Sequence, residues 1–89
     1  MLKISQIGAV GHSVTLKLEG RMVGPWVEEA RDTCEQFLAE GRRVELNLAE
    51  VSFVDQDGVK LLKNLIPRGV ALTDCSLFVE EQLKPAMND

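Results

Sequence analysis

Two aspartates and a glycine follow an apolar run in the segment at residues 51–58, Val-Ser-Phe-Val-Asp-Gln-Asp-Gly. Carboxylates this close together are candidates for acid–base catalysis or for holding a cation. The sequence favours neither, because no histidine, cysteine or serine constellation accompanies Asp55 and Asp57, and the chain has a single histidine. A phosphate-cradling glycine loop is also missing. We therefore expect no enzymatic activity, no metal site and no cofactor.

The residues after the aspartates predict a helix that starts at this point. Apolar side chains recur at helical spacing in Val59, Leu61, Leu62, Leu65 and Ile66. Pro67 ends the pattern, because the residue before a proline is pushed out of the helical region. Asp55 is the expected N-cap, since its carboxylate can accept hydrogen bonds from the first turn. Helix capping alone explains both acids; the alternative is a protein-binding surface around Asp57.

Two alternating segments at the start of the chain predict an antiparallel hairpin. Leu2, Ile4 and Ile7 indicate the first strand, and residues 14–19 alternate in the way of a half-buried strand. The turn is expected over residues 8–13, which include the turn-forming residues Gly8, Gly11 and Ser13, and His12 is placed within that turn. An irregular connection is expected over residues 20–24.

The rest of the chain alternates helices and strands. Pro25 opens a helix that Gly41 ends, strands follow over residues 42–48 and 70–72, and Ser76 caps a last helix. Strands separated by helices usually pair in parallel. We predict a single small α/β domain over residues 1–89, with a core at about 2–83 and a flexible tail at 84–89. Its mixed four-stranded sheet carries about three helices.

Composition excludes several classes of function. The 89 residues carry a net charge of −4, which argues against nucleic acid as a partner. The apolar stretches are too short to span a bilayer, and the start lacks a signal-peptide layout, so a cytoplasmic protein without membrane insertion is expected. Cys34 and Cys75 are interpreted as reduced thiols, with Cys34 on the apolar face of the first helix.

The segment from Val51 to Gly58 resembles the signature of the STAS domain of bacterial anti-sigma factor antagonists. That signature reads apolar-apolar-Asp-Ser-Ser/Thr-Gly and opens a helix. In regulated members of the family a partner anti-sigma kinase phosphorylates the second hydroxyl residue. With Asp55 and Gly58 aligned, Asp57 stands at that position and Gln56 replaces the preceding serine. The resemblance implies the STAS fold over residues 13–83, and the departure implies that phosphorylation does not act here.

The resemblance implies a non-enzymatic protein-interaction module in signalling and transcription regulation. Its partner would be an anti-sigma kinase or a related protein, and Asp57 would be phosphomimetic, a permanent imitation of the phosphorylated state. The module has then either lost the usual partner binding or meets a partner that accepts the carboxylate. The expected contact residues lie at the helix start and in the preceding loop: Asp55, Gln56, Asp57, Gly58, Val59, Lys60, Leu62, Arg21, Met22 and Val23.

Within this surface Gly58 is expected to let a partner approach closely, and Val59 and Leu62 to offer apolar contacts if they are exposed. Lys60 is expected to be near enough to Asp57 for an exposed ion pair. The sequence leaves open whether Trp26 lies at the edge of the core or in the interface.

A second function keeps the fold and changes the partner. Stand-alone STAS domains also resemble the small subunits of phospholipid-transport ABC complexes, which dock on the ATPase. A third class, a small-molecule sensor, requires a cavity that a core of this size hardly provides. The oligomeric state is open between a monomer and a weak dimer.

Overall fold

The computed structural model describes residues 2–83, apart from the side chain of Phe78. Four strands and three helices alternate along these residues, with one 3-10 turn after the second helix. Their bounds are β1 Leu2–Val10, β2 Ser13–Met22, α1 Pro25–Ala39, β3 Arg43–Val54, α2 Gln56–Leu65, the 3-10 turn Ile66–Arg68, β4 Val70–Thr73 and α3 Leu77–Leu83.

The strands form one sheet in the order β1-β2-β3-β4. The pair β1–β2 is antiparallel, while β2–β3 and β3–β4 are parallel. Helix α1 connects β2 to β3, and α2 connects β3 to β4, as parallel pairing requires. The predicted α/β class, with a mixed four-stranded sheet and an N-terminal antiparallel hairpin, is confirmed.

The first two strands are longer than the sequence predicted. Strand β1 continues to Val10, so the turn is only Gly11 and His12, with Gly11 at φ 59°. The pairing with β2 shifts between Gln6 and Gly8, which accommodates the extra residue Ile7. The expected turn over residues 8–13 was therefore too long, because the glycine at its start lies within a strand.

The end of β2 corrects a second prediction. Residues 20–22 were expected in an irregular connection, but Gly20, Arg21 and Met22 pair with β3, where Met22 lies opposite Val54. Strand β3 likewise runs without a break from Arg43 to Val54, beyond the predicted end at Leu48. Both extensions carry the strands up to the acidic segment.

The core lies between one face of the sheet and the helices. Alternate residues of β2 and β3 are buried, which shows that the helices cover a single face. The core side chains with the least exposure include Val14, Leu18, Met22, Leu46, Leu48, Val54, Leu62, Leu65 and Val79. No helix within residues 2–83 is long and apolar enough to cross a membrane.

Both cysteines are free thiols, as predicted. Cys34 is buried on α1, and burial raises the pKa of its thiol to about 11. Partial burial also raises the pKa of Cys75. Ser76 caps α3, since its Oγ accepts a hydrogen bond from the N–H of Val79 at 3.2 Å. The predicted flexible tail at 84–89 lies outside the described residues.

Candidate partner-binding site at the start of α2

Asp55 joins the end of β3 to the start of α2. It has an extended backbone and caps the helix, because its Oδ1 accepts a hydrogen bond from the N–H of Gly58 at 2.8 Å. Its Oδ2 accepts from the N–H of Gly24 at 3.0 Å, in the loop before α1. The N–H of Asp55 donates to the Met22 carbonyl at 3.1 Å. The predicted N-cap is confirmed, and the same side chain also ties the loop to the helix.

These hydrogen bonds lower the pKa of Asp55. The backbone N–H of Gly24 makes the largest contribution, followed by Gly58 and then by the backbone of Asp57. The carboxylate is therefore charged at neutral pH, and both of its oxygens are used within the chain. Such a group is poorly placed to transfer protons to or from a substrate. In the described part of the chain, no cluster of three or more acidic, histidine or cysteine residues could hold a metal ion.

Gly58 is buried against the end of β2. A Cβ at this position would lie 2.5 Å from Cγ1 of Val54 and 3.0 Å from the carbonyl oxygen of Met22. Only glycine lets the first turn of α2 approach the sheet this closely. The prediction that Gly58 leaves room for a partner backbone is wrong, because the chain itself fills that room.

Asp57 directly precedes Gly58 in the chain and faces outwards. Its side chain is exposed, and its carboxylate has no hydrogen-bond or ion-pair partner within residues 2–83. The predicted pair with Lys60 does not form. Asp57 thus presents a free negative charge in the first turn of a helix, where the N-terminal partial positive charge favours an anion.

A groove of about 590 Å³ lies beside Asp57, between α1 and α2. Its charges are mixed, since Glu28 and Arg31 of α1 form an exposed ion pair at 3.6 Å and Lys60 lies on the α2 side. The lining residues are Gly24, Pro25, Val27, Glu28, Arg31, Asp57, Lys60 and Asn64. The shape is that of an open surface rather than an enclosed cavity.

The structure brings only part of the predicted contact set to this surface. Gln56, Asp57 and Lys60 are exposed, and Val23 and Val59 are half-buried. Met22 and Leu62 are each 0% exposed and belong to the core, so their prediction as partner contacts is wrong. Leu62 was expected to contact a partner only if it was exposed, and its helical spacing with Leu61 and Leu65 is that of the buried face.

Arg21 lies elsewhere. Because neighbouring strand residues point to opposite faces and Met22 faces the core, Arg21 projects from the uncovered face of the sheet. There its guanidinium lies over the ring of Phe53, 5.6 Å from the centroid. The structure therefore does not place the Arg21 side chain with Asp57. Trp26 is half-buried and packs against the core, which is the first of its two predicted places.

Sequence reasoning missed the contribution of α1. Glu28 and Arg31 lie three residues apart, outside the apolar face formed by Val27, Ala30 and Cys34. That spacing was a readable signal of a shared polar face. Sequence reasoning missed Gln82 of α3 as well. Its Nε2 donates to the Val54 carbonyl at 2.7 Å, and its Oε1 is buried with no hydrogen-bond partner among residues 2–83. No local pattern marks this contact.

The sequence matches no protein-family model and no curated protein. Solved structures do match. The anti-sigma factor antagonist SpoIIAA in its unphosphorylated form is 21% identical, with a TM-score of 0.74 over 98% of this chain and 88% of that one. The Bacillus cell fate determinant SpoIIAA in its phosphorylated form gives 18% identity and a TM-score of 0.73, over 90% and 79% of the two chains.

A third structure, the antisigma-factor antagonist STAS domain from Rhodobacter sphaeroides, is 13% identical, with a TM-score of 0.52 over 98% and 96% of the two chains. These neighbours are STAS-domain anti-sigma factor antagonists, and the chain has the STAS fold that the signature at residues 51–58 implied. The likeness covers more of the chain than the predicted residues 13–83.

Proposed function

We propose that this chain is a non-enzymatic STAS module that acts as an anti-sigma factor antagonist-like regulator. Its partner is an anti-sigma kinase or a related signalling protein in the cytoplasm. The observation that carries the proposal is the exposed carboxylate of Asp57 in the first turn of α2, which has no partner within residues 2–83. The structural likeness to two forms of SpoIIAA supports it.

The partner surface consists of the exposed groups around the groove between α1 and α2. Asp57, Gln56 and Lys60 supply the α2 side, and Glu28 and Arg31 supply the α1 side. Asp55 and Gly58 lie beneath this surface, where they fix the distance between the loop at Gly24 and the first turn of α2. A rigid polar surface of mixed charge suits a partner that is recognised by complementary charges.

The charge of Asp57 is fixed, because a carboxylate cannot be added or removed by a kinase and a phosphatase. A phosphorylated hydroxyl at this position would carry about two negative charges and three acceptor oxygens. Asp57 offers one charge in the same favourable field of the helix terminus. The module therefore holds one state at this position and is not switched there by phosphorylation.

The absence of catalysis is part of the proposal. Asp55 is the second carboxylate of the segment, and both of its oxygens accept backbone hydrogen bonds. The residues that line the groove beside Asp57 include no histidine, serine or cysteine, and their other acid, Glu28, is paired with Arg31. Binding is thus the chemistry that these side chains support.

Affinity purification from the native cytoplasm tests the partner. The tagged wild-type chain is compared with Asp57→Lys and with the matched control Glu50→Lys, which reverses an exposed acid on β3. We expect an anti-sigma kinase with wild type and with the control, and at least tenfold less of it with Asp57→Lys. Equal recovery with Asp57→Lys would remove Asp57 from the interface, and recovery of a transport ATPase would support the ABC-complex alternative.

A second experiment tests the missing switch. The captured kinase is incubated with ATP and either the wild-type chain or Asp57→Ser, and intact mass is measured. We expect one phosphate on the variant and none on wild type. A variant that takes up no phosphate from a kinase that phosphorylates its own cognate antagonist would count against the assignment of Asp57 to the regulated position.

A further inference from the structure

Strand β1 forms one edge of the sheet, and β4 forms the other. The two edges differ in length, since β4 has four residues and β1 has nine. A strand of nine residues is about 30 Å long. Among the described residues β1 pairs only with β2, so alternate residues turn their N–H and C=O groups away from the sheet. Such a row of unpaired groups can accept another strand.

Residues 5–10 of β1 lack most of the features that usually keep an edge strand from pairing with another strand. Charged side chains and prolines normally block pairing, and the segment Ser-Gln-Ile-Gly-Ala-Val at residues 5–10 contains neither. The shift around Ile7 is its one protective feature. Each residue from Gln6 to Val10 is exposed, with Ile7 at 54% and Val10 at 82%. In the described part of the chain, these are two of the four large hydrophobic residues that are exposed.

We propose that β1 pairs in antiparallel orientation with β1 of a second copy of this chain, which joins the two four-stranded sheets across a two-fold axis. The proposal does not depend on the proposed function. An isologous pairing of this kind uses the same surface on both copies. The backbone groups of the edge provide the hydrogen bonds, and Ile7 and Val10 lose exposed apolar surface.

The charges along β1 allow a second copy to be the occupant. The chain has a net charge of −4, so two copies repel over much of their surface. Strand β1 carries only Lys3. In an antiparallel pair centred on Gln6, Lys3 lies opposite Ala9 of the second copy, and the two Lys3 residues are about 20 Å apart. The edge therefore lets two copies meet without opposing like charges.

The expected dimer is weak. A single pair of edge strands buries less than the roughly 1,600 Å² of a standard stable interface. Pairing should then depend on protein concentration. It also leaves the candidate site free, because Leu2 pairs with Gly20 near the Asp55 end of the sheet while Val10 pairs with Ser13 at the other end. A two-fold axis through β1 places the two sites at opposite ends of the joined sheet.

Sedimentation equilibrium of the full 89-residue chain tests the proposal. Between about 10 μM and 1 mM we expect the wild-type mass to rise from 9.9 kDa towards twice that value. Val10→Lys should weaken association at least tenfold. Leu77→Lys is the matched control, since Leu77 is 80% exposed and the charge change is the same, and it should behave as wild type. Circular dichroism verifies that both variants are folded.

Amide hydrogen exchange locates the contact. The outward amides of residues 5–10 should exchange more slowly at high protein concentration, while those of α1 and α2 should not change. A mass that stays at 9.9 kDa throughout would overturn the proposal. So would a dimer that Val10→Lys and Ile7→Lys leave unchanged, or protection that appears on the helices and not on β1.

Discussion

At the end of the sheet where β2 and β3 finish, backbone groups of three segments meet at close range. Asp55 bonds the loop at Gly24 and the helix at Gly58, and Gly58 leaves no room for a Cβ. At the opposite end the connections are turns with open space, as at Gly41, where φ is 76° and a Cβ would meet nothing within 4 Å. At the first end glycine leaves room for close packing because it has no Cβ. At the second end it adopts a positive φ that other residues disfavour.

This difference predicts which changes in sequence should affect the candidate site. At the α2 end the positions of helix and loop are set by hydrogen bonds and by van der Waals contact, so a single methyl group is felt. At the turn end the N–H of Arg43 donates to the His12 carbonyl at 2.8 Å, where the hairpin turn meets the start of β3, and no comparably tight packing is found at the described glycines there. Four predictions test this contrast, starting with the largest expected effect.

Gly58→Ala should destabilise the fold most. The added methyl group would lie 2.5 Å from Cγ1 of Val54, so α2 or β3 must move. We expect a loss of about 1–3 kcal/mol in the free energy of unfolding, from urea denaturation. Gly8→Ala is the control in the hairpin, because its Cβ would have ordinary contacts at 3.9 Å. Similar losses for the two variants would show that the contrast between the two ends is mistaken.

Asp55→Ala should come next, at about 1–2 kcal/mol, because it removes the N-cap and the bond to Gly24 together. Asp57→Ala should change the free energy of unfolding by less than about 0.5 kcal/mol, because that carboxylate has no partner in residues 2–83. Thermal and urea unfolding of the two variants compare the acids directly. Equal losses would mean that Asp57 also serves the fold.

The contribution of Asp55 should depend on pH. Its pKa is lower in the folded chain than in the unfolded one, so the stabilisation is fully present above the unfolded pKa of about 3.9 and is lost as pH falls through the folded pKa. The stability difference between wild type and Asp55→Asn should therefore shrink below about pH 4. Urea denaturation at several pH values measures it, and a constant difference down to pH 2.5 would contradict the assignment.

The smallest effect is expected for the exposed pair between Glu35 of α1 and Arg68 of the 3-10 turn. Two hydrogen bonds at 2.5 and 2.8 Å join them, and the pair lowers the pKa of Glu35. Solvent screening keeps such pairs weak. Glu35→Gln should lower the Tm less than Asp55→Ala does, and the difference from wild type should vanish in about 1 M salt. A loss that persists in salt would indicate packing rather than charge.

Most of the fold could be predicted from local patterns. The alternation in β2 and β3, the helical spacing of α1 and α2, and the breaks at Pro25, Gly41 and Pro67 defined the element order. The extents of β1 and β2 could not be predicted, because Gly8 and Gly20 resemble turn residues and become strand residues through pairing with their neighbours. Tertiary pairing overrides local preference at such positions.

The candidate site could be predicted less completely. The cap at Asp55 is a local feature, so the sequence was sufficient for it. The burial of Leu62 agrees with its helical spacing, whereas the role of Gly58 depends on the distance between α2 and the end of β2, which no local pattern contains. The residues of α1 that line the groove are 26 or more positions away from Asp57 in sequence, and only the crossover connection brings them near.

The hydrogen bond from Gln82 to the Val54 carbonyl has a consequence for variation far from the groove. It attaches the last described helix to the residue just before the cap, so α3 supports the start of α2, which carries the proposed partner surface. Natural or engineered changes in α3 would then be felt as altered recognition, although every side chain around the groove stayed the same.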